Sequence, residues 1–271
     1  MLVDSHAHLN FKDFNDDWQQ IIANCQKQEI WVVNVGAQLA TSKKAVAIAS
    51  EYPKGVYAAI GLHPIHVAGG SFQPEEFAIE DYRALINSSK KVVAIGETGI
   101  DFYHSAKNFT KQKEIFLKHL DLAQEFGLPV VLHARNSKDG ENNAYEEILK
   151  ILNERLAIGN KRFAIKGVIH CFGGTVKQAQ AFIELGFFIG FTGIITFAKT
   201  GELEKVVKSL ALERILIETD SPYLAPIPYR GKRNLPQYVE YVARKIAEIR
   251  GIDYNEVKDQ TVKNTKELFN L

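Results

Sequence analysis

The chain has 271 residues, 46% of them hydrophobic and 24% charged, and a formal net charge of +1. That length and core-forming content fit one large domain over residues 1–271, and the near-zero charge excludes a global field that would draw in a polyanion. Two cysteines, Cys25 and Cys171, exclude a disulfide framework and point to a reducing compartment.

The first apolar run, Leu2–Ser5, leads into His6 and His8. Residues i and i+2 of an extended segment point the same way, so both imidazoles can face one metal. A His-x-His pair also suits two surface histidines near a terminus. The segment Asp16–Lys27 places Trp18, Ile21, Ile22 and Cys25 at helical spacing. A second run, Trp31–Val35, precedes a helix over Thr41–Glu51, with Thr41 as its cap. His63 ends the third run, Val56–Leu62, and reads as a substrate contact or a residue behind the metal ligands.

The fourth run, Val92–Gly96, ends in Glu97. A carboxylate after so apolar a stretch is costly if buried unpaired, so it should meet a cation. A metal pair satisfies it, and so does an Arg or Lys salt bridge. Its two oxygens can bridge two metals, which an imidazole cannot do.

The helix expected over Phe109–Phe126 carries Ile115, Phe116, Leu120 and Leu122 on one face, with His119 structural or exposed. The run Pro129–Leu132 leads to His133, followed by Arg135 as a phosphate contact. A helix over Ala144–Leu156 and the run Phe163–Ile169 come next, and His170 follows that run. A lone histidine at a strand end is more often a hydrogen-bonded rim residue. Two on neighbouring strands, with two more on the first, tip the balance toward metal ligation.

Helices over Thr175–Leu185 and Glu202–Leu210 alternate with the runs Phe187–Phe191 and Arg214–Glu218. Asp220 follows the eighth run. It reads as a metal ligand, as the base that deprotonates a water, or as a turn residue before Ser221-Pro222. The loop over residues 225–234 sets Arg230, Lys232 and Arg233 beside Tyr229, which suits phosphate and base contacts and equally suits a solvated basic loop. A helix over Gln237–Arg250 and an extra C-terminal helix over Asn255–Phe269 complete the chain.

Eight runs alternating with helices argue for parallel βαβ units. They fit a closed (β/α)8 TIM barrel, although an open α/β sheet has the same periodicity. In such a barrel, catalytic groups gather at the C-terminal strand ends. His6, His8, Glu97, His133, His170 and Asp220 all fall there or within two residues of a strand end. Glu97 and Asp220 are the catalytic candidates. The N-terminal MLVDSHAHLN has charge and histidine where a signal peptide is apolar, and Phe187–Ala198 is too short to span a bilayer. A cytoplasmic chain without membrane contact is expected.

The blocks LVDSHAHLN, GLHP (61–64), GETGIDF (96–102), PVVLHAR (129–135), HCFGG (170–174), ETDSPYLAP (218–226) and RGKRN (230–234) occur in order. Together they resemble the TatD family of metal-dependent deoxyribonucleases, within the amidohydrolase-like barrels, over essentially the whole chain. The resemblance implies two divalent metal ions. His6 and His8 would hold one, His133 and His170 the second, Glu97 would bridge them, and Asp220 would complete the first site. It implies Mg2+, whereas four imidazoles by themselves favour Zn2+, Mn2+ or iron. The implied activity is hydrolysis of DNA phosphodiesters, as a 3′-5′ exonuclease on single strands, with nucleic acid as its partner. The absence of a long exposed apolar pattern points to a monomer. The same centre also suits an ester or amide, such as the D-aminoacyl ester of a transfer RNA, because a barrel does not fix its substrate. One local departure is the stretch SKDGENN (137–143), which alters a mouth loop and removes no ligand.

Overall fold

Residues 1–67, 74–105, 108–158 and 165–271 are described by the computed structural model. The first residues of the sixth apolar run, Phe163 and Ala164, lie outside them. In chain order come β1 (Leu2–Ala7), α1 (Trp18–Lys27), β2 (Ile30–Val35), α2 (Leu39–Ser50), β3 (Val56–Ile60), α3 (Ile79–Ser88) and β4 (Val92–Asp101). Then follow the short α4 (Phe102–Ser105), α5 (Phe109–Phe126), β5 (Val130–Arg135), α6 (Ala144–Ile158), β6 (Gly167–Ile169), α7 (Val176–Glu184) and β7 (Phe188–Phe191). The chain ends with α8 (Glu202–Ser209), β8 (Ile215–Ile217), α9 (Val239–Arg250) and α10 (Tyr254–Phe269).

The strands pair in parallel and in sequence order, β1 through β8. The circle is completed past the end of β8. There Ala7 bridges Ser221, the amide of His8 donates to the Ser221 carbonyl at 2.8 Å, and the amide of Asp220 donates to the His6 carbonyl at 2.9 Å. The fold is a TIM barrel, and the open-sheet alternative falls.

Alternate strand residues fill the barrel. Val33, Val35, Ala59, Ala94, Val131 and Leu216 belong to one buried cluster, while the larger apolar cluster packs the helices onto the outside. Leu268 and Phe269 of α10 join the inner cluster. Asn264 of the same helix, itself buried, donates to the carbonyls of Leu212 and Ile215, each at 2.8 Å. The extra C-terminal helix is therefore bonded to the segment that feeds β8. No helix among the described residues is long and apolar enough to cross a membrane.

Three local expectations change. Helix α3 was not anticipated; Tyr82 is its one fully buried residue, so its apolar periodicity is faint. Thr41 is not the cap of α2. Gln38 is the cap, and Thr41 sits at the third helical position, where its hydroxyl accepts from the Gln38 amide at 2.9 Å. Strands β1, β4 and β5 also run farther than their apolar stretches, through Ala7, Asp101 and Arg135. His6, Glu97 and His133 thus lie inside strands, where polar groups facing the mouth interrupt the apolar pattern that marks a strand.

Candidate metal centre

Strand β4 carries Glu97 at a break in its ladder. The pairing with β5 shifts between Ile95 and Thr98. Gly96 and Gly99 flank the break with φ of +144° and +140°, a conformation that favours glycine. Backbones also pack too closely there for a side chain: a Cβ on Gly99 would lie 2.1 Å from the His133 carbonyl oxygen. The kink turns Glu97 into the barrel, where it is 3% exposed.

The Glu97 carboxylate faces two ways. Its Oε2 lies 3.4 Å from His6 Nε2 and 3.9 Å from His8 Nε2. Its Oε1 lies 2.9 Å from His133 Nδ1, 3.3 Å from His63 Nε2 and 4.0 Å from His170 Nε2. Asp220, at φ 56° on the segment closing the barrel, brings Oδ1 within 3.3 Å of His8 Nε2, 3.8 Å of His6 Nε2 and 3.7 Å of His170 Nε2. All six residues expected to ligate metal converge on one space.

Hydrogen bonds fix which ring nitrogens can act as ligands. His8 donates from Nδ1 to the Val35 carbonyl at 2.8 Å, so its Nε2 lone pair faces the cluster. His170 Nδ1 lies 2.9 Å from Glu218 Oε1, an ion-pair contact away from ideal hydrogen-bond angle that favours the proton on Nδ1. His170 Nε2 is thereby left for the centre. His133 has carboxylates on both sides, Glu97 at Nδ1 and Asp101 Oδ2 at 3.1 Å from Nε2. A proton kept toward Asp101 leaves Nδ1 for a metal. His63 differs: its Nδ1 accepts from the Ile65 amide at 3.1 Å, so the proton sits on Nε2 and points at Glu97. His63 is a donor to the carboxylate in this arrangement, which agrees with a place behind the ligands.

The donor set fits divalent cations. His6 Nε2 and His8 Nε2 are 3.1 Å apart, and Asp220 Oδ1 completes a close triple. Nitrogens and oxygens that share an ion at about 2 Å show separations of this size. His6, Glu97 and His170 form a second close triple, and His63, Glu97 and His133 a third. Glu97 is common to the last two, as a bridging carboxylate would be. His133 and His170 do not fall into one triple; they approach the same Glu97 oxygen separately.

Burial alone would raise the Glu97 carboxyl, but the charges and hydrogen bonds of His63, His133 and His6 hold it well below its ordinary range. Asp220 is likewise lowered against its burial, by His8, His170 and His6. His133 overcomes burial through Asp101 and Glu97 and is raised to about 9, and His170 overcomes it through Glu218, Glu97 and Asp220 and is raised to about 10. His63 is lowered to about 4 by burial. Positive charge on His133 and His170 and negative charge on Glu97 and Asp220 thus favour one another. Divalent cations would take over that balance as those protons leave.

The outer candidates divide. Arg135, exposed, lies two residues beyond His133 on β5 with its guanidinium 3.9 Å from the Tyr103 ring centre. Arg230 and Lys232 are exposed, Arg230 lying 3.7 Å over Phe197. Arg233 is not free for a substrate: it pairs with Asp17, donates to the Asp13 carbonyl and stacks on Phe14. Sequence reasoning missed Glu218 and Asp101, both buried, which orient His170 and His133. The signal was present, since Glu218 ends an apolar run as Glu97 does, and Asp101 repeats the strand phase of Glu97. Cys171 stays outside the chemistry: burial pushes its thiol well up, and its amide donates to Glu218 Oε1 at 2.5 Å.

The TatD related DNase family matches residues 3–270. The chain is 35% identical over 272 residues to the uncharacterized metal-dependent hydrolase YabD of Bacillus subtilis, covering all of both chains. It is 32% identical over 274 residues to the uncharacterized metal-dependent hydrolase YcfH of Escherichia coli, covering 100% of this chain and 96% of the relative. The crystal structure of YJJV, a TatD homolog from E. coli, superposes with a TM-score of 0.87 at 26% identity, covering 100% of this chain and 98% of the other. With this barrel and this cluster of histidines and carboxylates, the chain belongs to the TatD family of metal-dependent hydrolases.

Proposed function

We propose that this hydrolase cleaves phosphodiester bonds of DNA, working from the 3′ end of a single strand. The observation that carries the reading is the double-facing Glu97 carboxylate, with Oε2 toward His6 and His8 and Oε1 toward His133 and His170. One carboxylate between two imidazole groups suits a pair of cations, the arrangement used to clamp a phosphoryl group. Bound there, divalent ions would draw charge from the phosphoryl oxygens and ease ionisation of an attacking water.

The side chains have separate parts in this reaction. His6, His8 and Asp220 would hold one ion, His133 and His170 the other, and Glu97 both. Asp220 is the most open carboxylate of the cluster, its side chain 15% exposed against 4% for Glu97, so it accepts the proton of the water. His63 donates from Nε2 to Glu97 and keeps that carboxylate in place. Arg135, Arg230 and Lys232 stand exposed and in this reading would contact the flanking phosphates. Mg2+ follows from the family, while the imidazole share also suits Mn2+ and Zn2+. The acting unit in this reading is a cytoplasmic monomer, in keeping with free Cys25 and Cys171.

The test is hydrolysis of end-labelled single-stranded DNA by metal-stripped protein resupplied with Mg2+, Mn2+ or Zn2+, with Glu97→Ala alongside. The expected result is metal-dependent shortening from the 3′ end, reduced at least about 100-fold in the variant. Absence of cleavage in protein that has bound its ions would overturn the nuclease reading and direct attention to carboxyl esters such as D-aminoacyl-tRNA.

A further inference from the structure

The stretch SKDGENN after β5, unaccounted for by the metal centre, builds a defined loop. The Ser137 amide donates to the Asn142 carbonyl at 3.0 Å, and the Asn142 amide donates to the Ser137 hydroxyl at 2.9 Å. The Asn136 side chain accepts from the Ala144 amide at 2.8 Å and ties the loop to α6. Within this frame, Lys138 sets its ammonium 4.4 Å from the ring centre of Tyr103. Arg135 places its guanidinium 3.9 Å from the same centre. Tyr103 is 38% exposed and Lys138 is exposed.

Two cations on one ring are held no farther apart than about a Debye length, so they repel. A tyrosine face attracts each only weakly at an exposed site. No carboxylate among the described residues forms an ion pair with either, in contrast to Arg233 with its Asp17. Such a pair is relieved by an anion. The site also lies beside the centre. Arg135 pairs in register with Asp101, and Asp101 contacts His133. Tyr103 sits two residues past Asp101 on α4.

We propose that Arg135, Lys138 and Tyr103 form an anion clamp at the mouth, which takes a backbone phosphate of the DNA strand next to the one being cut. Arg135 supplies a planar pair of N–H donors, Lys138 a point charge, and Tyr103 a platform that holds both and offers a ring edge to the adjoining sugar or base. The proposal rests on the nuclease reading and adds to it the loop that follows β5.

The test is binding of metal-loaded protein to a short, labelled, single-stranded DNA with cleavage-resistant phosphorothioate links, titrated with KCl. Wild type is compared with Arg135→Gln/Lys138→Gln, with Tyr103→Leu, and with Lys54→Gln/Lys208→Gln on the opposite face. Loss of the cation pair that neutralises one phosphate flattens the slope of log affinity against log salt by about 0.7. The mouth double variant is expected to show that change, with affinity down roughly tenfold at low salt. Tyr103→Leu keeps both charges and should weaken binding by about threefold. The opposite-face pair should leave slope and affinity unchanged. An unaltered slope in the mouth double variant, with wild type binding DNA, would overturn the clamp and leave the nuclease reading standing. No DNA binding by wild type would overturn both.

Discussion

Glu218 is fully buried, and one of its oxygens faces both His170 Nδ1 and the amide of Cys171. Its other oxygen lies 3.4 Å from the Ser5 hydroxyl. Gly190 makes this possible, because a Cβ there would sit 2.7 Å from Glu218 Oε1. A carboxylate behind a ligating imidazole fixes its tautomer and raises its basicity, and loss of such a partner costs 10–100-fold in metal affinity. Glu218→Gln keeps the shape and removes the charge. Its affinity for divalent metal, measured by calorimetric titration, is expected to fall by about 10–100-fold. Gly190→Ala should produce a loss in the same direction without altering the carboxylate. Unchanged affinity in both variants would remove Glu218 from the metal centre.

At this scale the sequence was readable in proportion to how unusual each residue was in its place. His6, His8, Glu97, His133, His170 and Asp220 all interrupt or end apolar runs, and all converge. Glu218 interrupts one too, but beside Asp220 its signal merges with its neighbour's. Arg233 had the right charge for a phosphate contact. Its partner, Asp17, lies 216 residues away, and no local pattern reveals such a pairing.

Among the elements, α5 shows how a polar residue becomes structural. His119 is fully buried on this helix, donates from Nδ1 to the Ile115 carbonyl at 2.8 Å, and accepts at Nε2 from the Leu62 amide at 3.0 Å. It thereby ties α5 to the end of β3, one residue before His63. Burial lowers its pKa from 6.5 to about 4. The folded state therefore keeps His119 neutral over a range in which the unfolded chain takes up a proton. Its contribution is complete above pH 6.5 and declines as pH falls toward 4. Between pH 7 and 5, wild type is expected to lose about 2 kcal/mol more stability than His119→Gln, measured by urea unfolding at each pH. Equal losses would show that His119 does not titrate this way. The sequence left this residue as structural or exposed, because helical spacing alone does not tell which neighbour covers a given face. Strand limits were lost for a related reason: β4 continues through Glu97 to Asp101 on glycine geometry that apolar periodicity does not record.

The whole molecule explains why distant residues meet. His6 and Asp220 stand at opposite ends of the strand order, and the main-chain bonds between His6, His8 and the 220–221 segment bring them together. Closure was the one architectural question that periodicity left open, since it depends on hydrogen bonds between the first strand and the segment beyond the last. One carboxylate, Glu97, stands between two groups of candidate metal ligands at the mouth of this closed barrel. The most direct test is the metal content and titration of wild type, Glu97→Ala and His133→Ala, with folding of each checked by circular dichroism. Two divalent ions per wild-type chain are predicted, with both weakened in Glu97→Ala and one in His133→Ala. A folded Glu97→Ala that binds two ions with wild-type affinity would show that Glu97 is not shared between two sites.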